Sequence, residues 1–207
     1  MSPEPVPDLG VRLREERLRR GIGVRRLARD LGVSASLISQ IETGKSQPSV
    51  STLYAITSAL GISVEDVFDR AGPGPGDEGA PATVLEALGA FRGRRFGPLV
   101  RPAERQMLSL DSGVTWERLG QLPKTHVDFL RITYAPGGTS SSSGMLMRHE
   151  GSEYGYLLSG ELVLTLGFEE HRLHPGDAIC FESSTPHRYR NDADQPAIGV
   201  WFVVEPD

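Results

Sequence analysis

The chain has 207 residues, of which 38% are apolar and 24% charged, and a formal net charge of −5. That length holds one large or two small domains, and that composition belongs to folded globular proteins rather than disordered ones. No apolar run approaches a membrane span, the Pro-rich acidic start does not read as a signal peptide, and the single cysteine, Cys180, has no partner for an internal disulfide, so a cytoplasmic protein with no membrane partner is expected.

Charge is uneven along the chain. Residues 1–70 carry ten basic and nine acidic side chains, whereas residues 71–207 carry twelve and eighteen. An acidic second half is repelled by DNA and is expected to face away from it.

Taken in order, residues 8–20 predict a first helix with Asp8 as cap, Leu9, Leu13 and Leu18 facing inward, and Arg17, Arg19 and Arg20 at its negative end. Arg25 and Arg26 open the next helix, where side chains and backbone N–H groups both reach phosphate; Arg29 reads as solvated. The stretch Leu27 to Lys45 is then two short helices broken at Gly32, with Leu27, Leu31, Val33, Leu37, Ile38 and Ile41 at helical spacing. Gly32 suits the left-handed end of the first, and Ser34 suits the N-cap of the second. The second helix is expected to expose Ser34, Ala35, Ser36, Ser39, Gln40 and Thr43, small or amide-bearing residues that let a helix sit deep in a major groove. Lys45 follows where a phosphate would lie. This is a helix-turn-helix with a candidate recognition helix. An ordinary helical hairpin is the alternative, but a solvated face carries more long charged side chains than this one does. Ser51 to Leu60 predicts a fourth helix with Leu53, Ile56 and Leu60 inward, and Ser63 caps a fifth that runs to Phe68.

Ala71 to Ala82 alternates Gly and Pro with acidic residues and reads as a linker. Residues 83–97 are ambiguous, because TVLEALGAF suits a helix that Arg92-Gly93-Arg94-Arg95 breaks. The expected organisation is a DNA-binding domain over 1–70, a linker over 71–98 and a β domain over 99–207. That last region shows short alternating strands at Gln106–Leu110, Thr115–Leu119, Val127–Tyr134, Met145–Met147, Glu153–Leu158, Glu161–Leu166, His171–Leu173, Ala178–Phe181, His187–Asn191 and Ile198–Val203. So many short strands predict a sandwich or barrel. The fold class is therefore a multidomain α and β chain, a five-helix domain followed by a β-barrel.

His149, Glu153 and His187 stand out as metal ligands. On a straight strand His149 and Glu153 would lie about 13 Å apart, so one ion binds both only if the chain bends, and Gly151-Ser152 is the place for it. Two imidazoles and a carboxylate suit one divalent metal: iron, zinc, manganese or nickel. The alternative is a barrel that uses the three as polar lining for an organic effector. Met147, Tyr156, Phe181 and Tyr189 are candidate pocket walls. Cys180 reads as a small buried residue.

The five helices, with G-V-S between the second and third and E-T-G-K after the third, resemble the phage-repressor (xenobiotic-response-element) helix-turn-helix family over about residues 8–70. By that resemblance Arg17 and Glu42 form a structural pair, Ala35, Ser36 and Gln40 meet bases, and Ser34, Thr43 and Lys45 meet the DNA backbone. Gln40 can pair bidentately with adenine. HEGSEYGYLLSGEL and PGDAICFESSTPHRYRN resemble the two cupin motifs, carrying His149, Glu153 and Gly160, then Gly176, His187 and Asn191. The first motif normally opens with two His separated by one residue; Met147 replaces the first, and a thioether is a poor ligand for hard divalent ions.

The whole chain thus resembles regulators that join such a helix-turn-helix to a cupin sensor. That implies a double-stranded DNA operator, a small-molecule effector and a homodimer matched to two half-sites. Fosfomycin-type epoxidases combine the same two folds around non-haem iron and give the rival, enzymatic reading. A barrel that only dimerises is the third.

Overall fold

The computed structural model describes residues 9–68, 99–120 and 127–204. Among these, five helices come first: α1 (Leu9–Arg19), α2 (Val24–Asp30), α3 (Ala35–Glu42), α4 (Val50–Leu60) and α5 (Val64–Phe68). Nine strands follow: β1 (Met107–Leu110), β2 (Val114–Gly120), β3 (Val127–Tyr134), β4 (Ser152–Ser159), β5 (Leu162–Leu166), β6 (Glu169–Leu173), β7 (Ala178–Glu182), β8 (His187–Arg190) and β9 (Ala197–Val204). The proposed cap Asp8, the linker 71–82 and the segment 83–97 lie outside the described residues.

The helix ends follow local chemistry. Gly32 takes φ +68°, and the Val33 N–H reaches back to Ala28 O at 2.9 Å, so the chain turns sharply after α2. Ser34 then caps α3, its hydroxyl accepting from Leu37 N at 3.1 Å. Ser49 caps α4 in the same way through Thr52 N, and Gly61 at φ +57° ends it. Ser63 and Asp66 accept reciprocally from each other's N–H groups and start α5.

Leu9 and Leu13 face the core, but Leu18 is 57% exposed and the expectation for it fails. Leu18 lies roughly 140° around the helix from Leu13 at 3.6 residues per turn. The position four residues after Leu13 is Arg17, and this guanidinium is turned inward instead. Its Nε and Nη2 donate to the two Glu42 carboxylate oxygens at 2.5 and 2.8 Å, and its Nη1 donates to Ile22 O. Both side chains are only 6% exposed. The hydrogen bonds to Glu42 outweigh burial and raise the Arg17 pKa, so the guanidinium stays charged, and the pair ties α1 to the last turn of α3. Gly10 lets those helices meet: a Cβ there would sit 2.1 Å from Ile41 O.

The strands form two antiparallel sheets, ordered β1-β2-β3-β9-β4-β7 and β6-β5-β8. They share one apolar interior without closing into a single continuous sheet, and isolated bridges at Thr139–Arg190 and Met147–His187 tie the connection between β3 and β4 to β8. The strand expected at Met145–Met147 reduces to that single bridge at Met147. Cys180 is exposed rather than buried, because β7 alternates and Ile179 and Phe181 take the inward positions.

The helical domain rests on the barrel. The Ser51 N–H at the start of α4 donates to Ser140 O, and Asp111 N–H donates to Pro48 O, both at 2.9 Å. Gln106 Nε2 donates to Phe68 O, and the Arg118 guanidinium lies 4.9 Å over the Phe68 ring. The apolar core runs without a break from Leu53 and Phe68 into Trp116 and Leu130.

Arg17→Leu should leave the Glu42 carboxylate buried without its partner and destabilise the helical domain by about 3–5 kcal/mol. Replacing both with apolar residues should recover most of that loss. Urea unfolding followed by circular dichroism measures both effects.

Candidate nucleic-acid interface and metal centre

On α3, Ser36, Ser39 and Gln40 are exposed along one side, with Ser34 before them and Thr43 and Lys45 after. Gln40 Nε2 lies 3.5 Å from the Ser36 hydroxyl, so its amide is held loosely and free to pair elsewhere. Thr43 donates its hydroxyl to Ser39 O at 2.8 Å. Ala35 is half-buried and packs its methyl group against the core, so it presents less surface than expected. Arg25 and Arg26 are exposed at the start of α2; Arg26 keeps only a long 3.8 Å contact to Asp30. Arg29 is solvated beside Asp30. The structure therefore brings the nucleic-acid candidates to the exposed sides of α2 and α3.

The second constellation lies inside the barrel. The chain bends at Gly151, where φ is +95°, before β4 begins at Ser152. That bend closes the span between His149 and Glu153, and the Met147–His187 bridge brings β8 alongside. His149 Nε2 and His187 Nε2 each lie 3.0 Å from Glu153 Oε1. The donor atoms of all three residues fall within 4.8 Å of one another. Glu153 is 3% exposed and His187 fully buried. Tyr189 donates its hydroxyl to the other carboxylate oxygen at 2.9 Å and accepts from Trp201 Nε1.

Burial alone would raise the Glu153 pKa. The contacts from His149 and His187 outweigh it and hold the group at about 2, a carboxylate. The same burial, with Glu153 beside it, raises the Tyr189 phenol well above its ordinary value, so it remains a donor.

The ring orientations bear on a metal. His149 Nδ1 faces Glu150 O at 3.0 Å and His187 Nδ1 faces Thr185 O at 2.9 Å. A carbonyl only accepts, so Nδ1 donates in both rings and each Nε2 is turned toward Glu153. His187 Nε2 is close to that oxygen but poorly aligned and makes no hydrogen bond. Two imidazole nitrogens and a carboxylate oxygen facing one point are a donor set that fits a divalent cation.

Of the expected pocket residues, Met147 and Tyr189 are buried in the barrel, and Phe181 stands edge-on to the His187 ring at 5.0 Å. Tyr156 is not there. Residues two apart share a strand face, so Glu153, Gly155 and Leu157 point inward while Tyr154, Tyr156 and Leu158 point out, each about half exposed. Sequence reading missed Trp116, and above all Tyr54. Tyr54 comes from α4, yet its ring stacks on His149 at 4.0 Å with planes 1° apart and meets Trp116 edge-on at 5.9 Å. The available signal was an aromatic residue on a helix whose core stripe was already supplied by Leu53, Ile56 and Leu60.

Fold and site together define a helix-turn-helix domain coupled to a small two-sheet β domain with a His–Glu–His cluster. Comparison with known proteins agrees: a helix-turn-helix domain model matches residues 8–69 and a cupin domain model matches residues 130–203, together well over half of the chain. The chain thus joins a phage-repressor-type helix-turn-helix domain to a C-terminal cupin domain. It is 29% identical over 184 residues to the HTH-type transcriptional regulator PuuR of Escherichia coli K12, covering 88% of this chain and 86% of that one. SutR of the same organism, also an HTH-type transcriptional regulator, is 25% identical over 189 residues, covering 90% and 89%. An HTH_3 family transcriptional regulator from Vibrio cholerae superposes with a TM-score of 0.64 at 22% identity, covering 97% of this chain and 96% of that one, and so shares the fold. The protein is a DNA-binding transcriptional regulator, in line with these relatives rather than with the epoxidase reading. No helix among the described residues is long and apolar enough to cross a membrane.

Tyr189→Phe removes the donor to Glu153 and the acceptor for Trp201 in one step. It should cost about 1–3 kcal/mol through the polar groups left unpaired, read as a lowered urea midpoint with an unchanged slope.

Proposed function

We propose that α3 reads a double-stranded operator, that the cupin interior holds a small-molecule effector beside one divalent metal, and that the protein acts as a homodimer. The observation that carries the DNA reading is the nearly uncharged exposed side of α3, fixed at its far end by Arg17 and Glu42. Gln40 reads a base edge, with Ser36, Ser39 and the Ala35 methyl beside it; Ser34, Thr43, Lys45, Arg25 and Arg26 position the backbone. His149, Glu153 and His187 would hold the metal, and a bound divalent ion would supply Lewis acidity and a coordination point for an effector. Met147, Phe181 and Tyr189 shape the space around it.

One helix-turn-helix reads only a few base pairs, so useful specificity calls for two. The outer face of β3, β9 and β4 supports dimerisation there. It presents Tyr154, Tyr156, Leu158, Phe202 and Val204, all at least 37% exposed, and Phe129 stacks on Phe202 at 4.5 Å. A contiguous apolar face of this kind on a β-sheet marks an association surface, and a second copy of the chain is the partner that gives two DNA heads.

Selection from a random DNA pool tests the operator reading. Gln40→Ala should relax preference at one base position at a cost of about 1–3 kcal/mol, whereas Lys45→Ala should weaken all sequences alike and reduce the salt slope by about 1. Identical sequence profiles for the two variants would reverse those assignments. For the barrel, His187→Ala should lose the zinc, iron, manganese or nickel that the unmutated protein retains after dialysis, measured by plasma mass spectrometry. Tyr156→Arg should shift the sedimentation equilibrium from dimer to monomer.

A further inference from the structure

The barrel interior is closed by the DNA-binding domain itself. Tyr54 is 7% exposed and lies flat on the His149 ring, while Val50, one turn earlier on α4, completes the same wall. The space left between them and Trp116, Glu153, Tyr189 and Trp201 is about 10 Å³. That is room for one water at most. An organic molecule does not fit beside Glu153 while Tyr54 is seated.

Tyr54 is also rigidly joined to the DNA-reading unit. Its neighbours on α4, Leu53 and Ile56, are buried in the helical core with Leu13, Leu27 and Ile38. Tyr54 itself points the other way, to Trp116 and His149. Lifting the ring out of the barrel therefore moves α4, and with it α1 to α3, as one body. The exposed side of α3 does not take part in the docking, so a seated head still presents its recognition surface.

We propose that Tyr54 is a plug carried by the DNA-binding domain, and that occupation of the cupin interior by an organic molecule and seating of the helical domain on the barrel exclude one another. This rests on the reading that the interior is the effector site. An effector that binds only the unseated form shifts the population toward it by its differential affinity. The relative placement of two recognition helices is then set by whether the barrels are filled.

The test uses the full chain with Cys180→Ser and spin labels attached at Arg29→Cys on α2 and Phe168→Cys on the β5–β6 turn, both fully accessible sites. Diluted into excess unlabelled chain, so that a dimer carries at most one labelled copy, the chain that retains Tyr54 should give one narrow distance in pulsed electron double resonance. Tyr54→Ala should add a broad population at longer distance. The probe for the vacated mouth is p-cresol, a stand-in for the missing ring of the kind that fills engineered cavities. It should saturably perturb the Trp fluorescence of Tyr54→Ala and leave the Tyr54 chain unchanged. A broad distribution in the chain that retains Tyr54 overturns the seating without recourse to any variant. An unchanged distance in Tyr54→Ala, or exclusion of p-cresol from it, overturns the plug. Zinc binding measured on the same samples judges the metal reading separately, since its loss leaves these outcomes as they are.

Discussion

Glu153 is a carboxylate removed almost completely from water, and the arrangement of the β domain follows from making that tolerable. An ionised group in such a place survives only with partners on every side. Tyr189 supplies one donor from β8, His149 approaches through the bend at Gly151, and His187 faces the same oxygen from the other sheet. Each partner is fixed in turn: the two imidazoles by carbonyls at Nδ1, and the Tyr189 hydroxyl by the Trp201 indole. The indole needs its own slot, which Gly155 and Gly199 provide, since a Cβ at either would fall within 2.7 Å of its ring. A glycine on one strand, a tryptophan on another and a tyrosine on the facing sheet thus serve a single charge.

The two-residue repeat of β4 turns this local constraint into a division of labour. Its inward residues, Glu153, Gly155 and Leu157, build the cluster and the core. Its outward residues, Tyr154, Tyr156 and Leu158, continue onto Phe202 and Val204 of β9 and make an apolar outer surface. A shift by one residue would put tyrosine into the core and the carboxylate into solvent, so the register is strongly specified. One short strand therefore sets both the chemistry inside and the contact surface outside.

Where a feature depends on near neighbours in the chain, the sequence was enough to foresee it. Gly32, Ser34, Gly61 and the strand Val127–Tyr134 are of this kind, as is the approach of His149 to Glu153 across the bend. The Arg17–Glu42 pair and the placement of His187 span longer separations and were legible only through recognisable motifs. The errors came from parity and from distance. Leu18 was assigned by its hydrophobicity against its angular position, and Tyr156 by its aromatic ring against its strand face. Cys180 was judged small and apolar without asking which way β7 turns it. For Tyr54 the local signal is only that of an aromatic to spare beside the core stripe of α4; that it belongs to a site built some ninety residues later is disclosed by the packing of the two domains.

That packing has a consequence for how information crosses the molecule. The proposed recognition helix, α3, makes its firm contacts inside the helical domain: Ile38 and Ile41 in the core, and Glu42 to Arg17 on α1. The barrel touches the domain elsewhere, through the start of α4 and the end of α5. On the proposed reading, an event in the barrel therefore has no direct grip on the side chains that face DNA and does not need to distort them; it acts on where the whole head sits. A close-packed core transmits such a displacement as a rigid body rather than dissipating it, and the two heads of the proposed dimer would read paired half-sites only at matching separation. On that proposal, sequence preference and signal response fall to different faces of one small helical unit, so that each can change without disturbing the other.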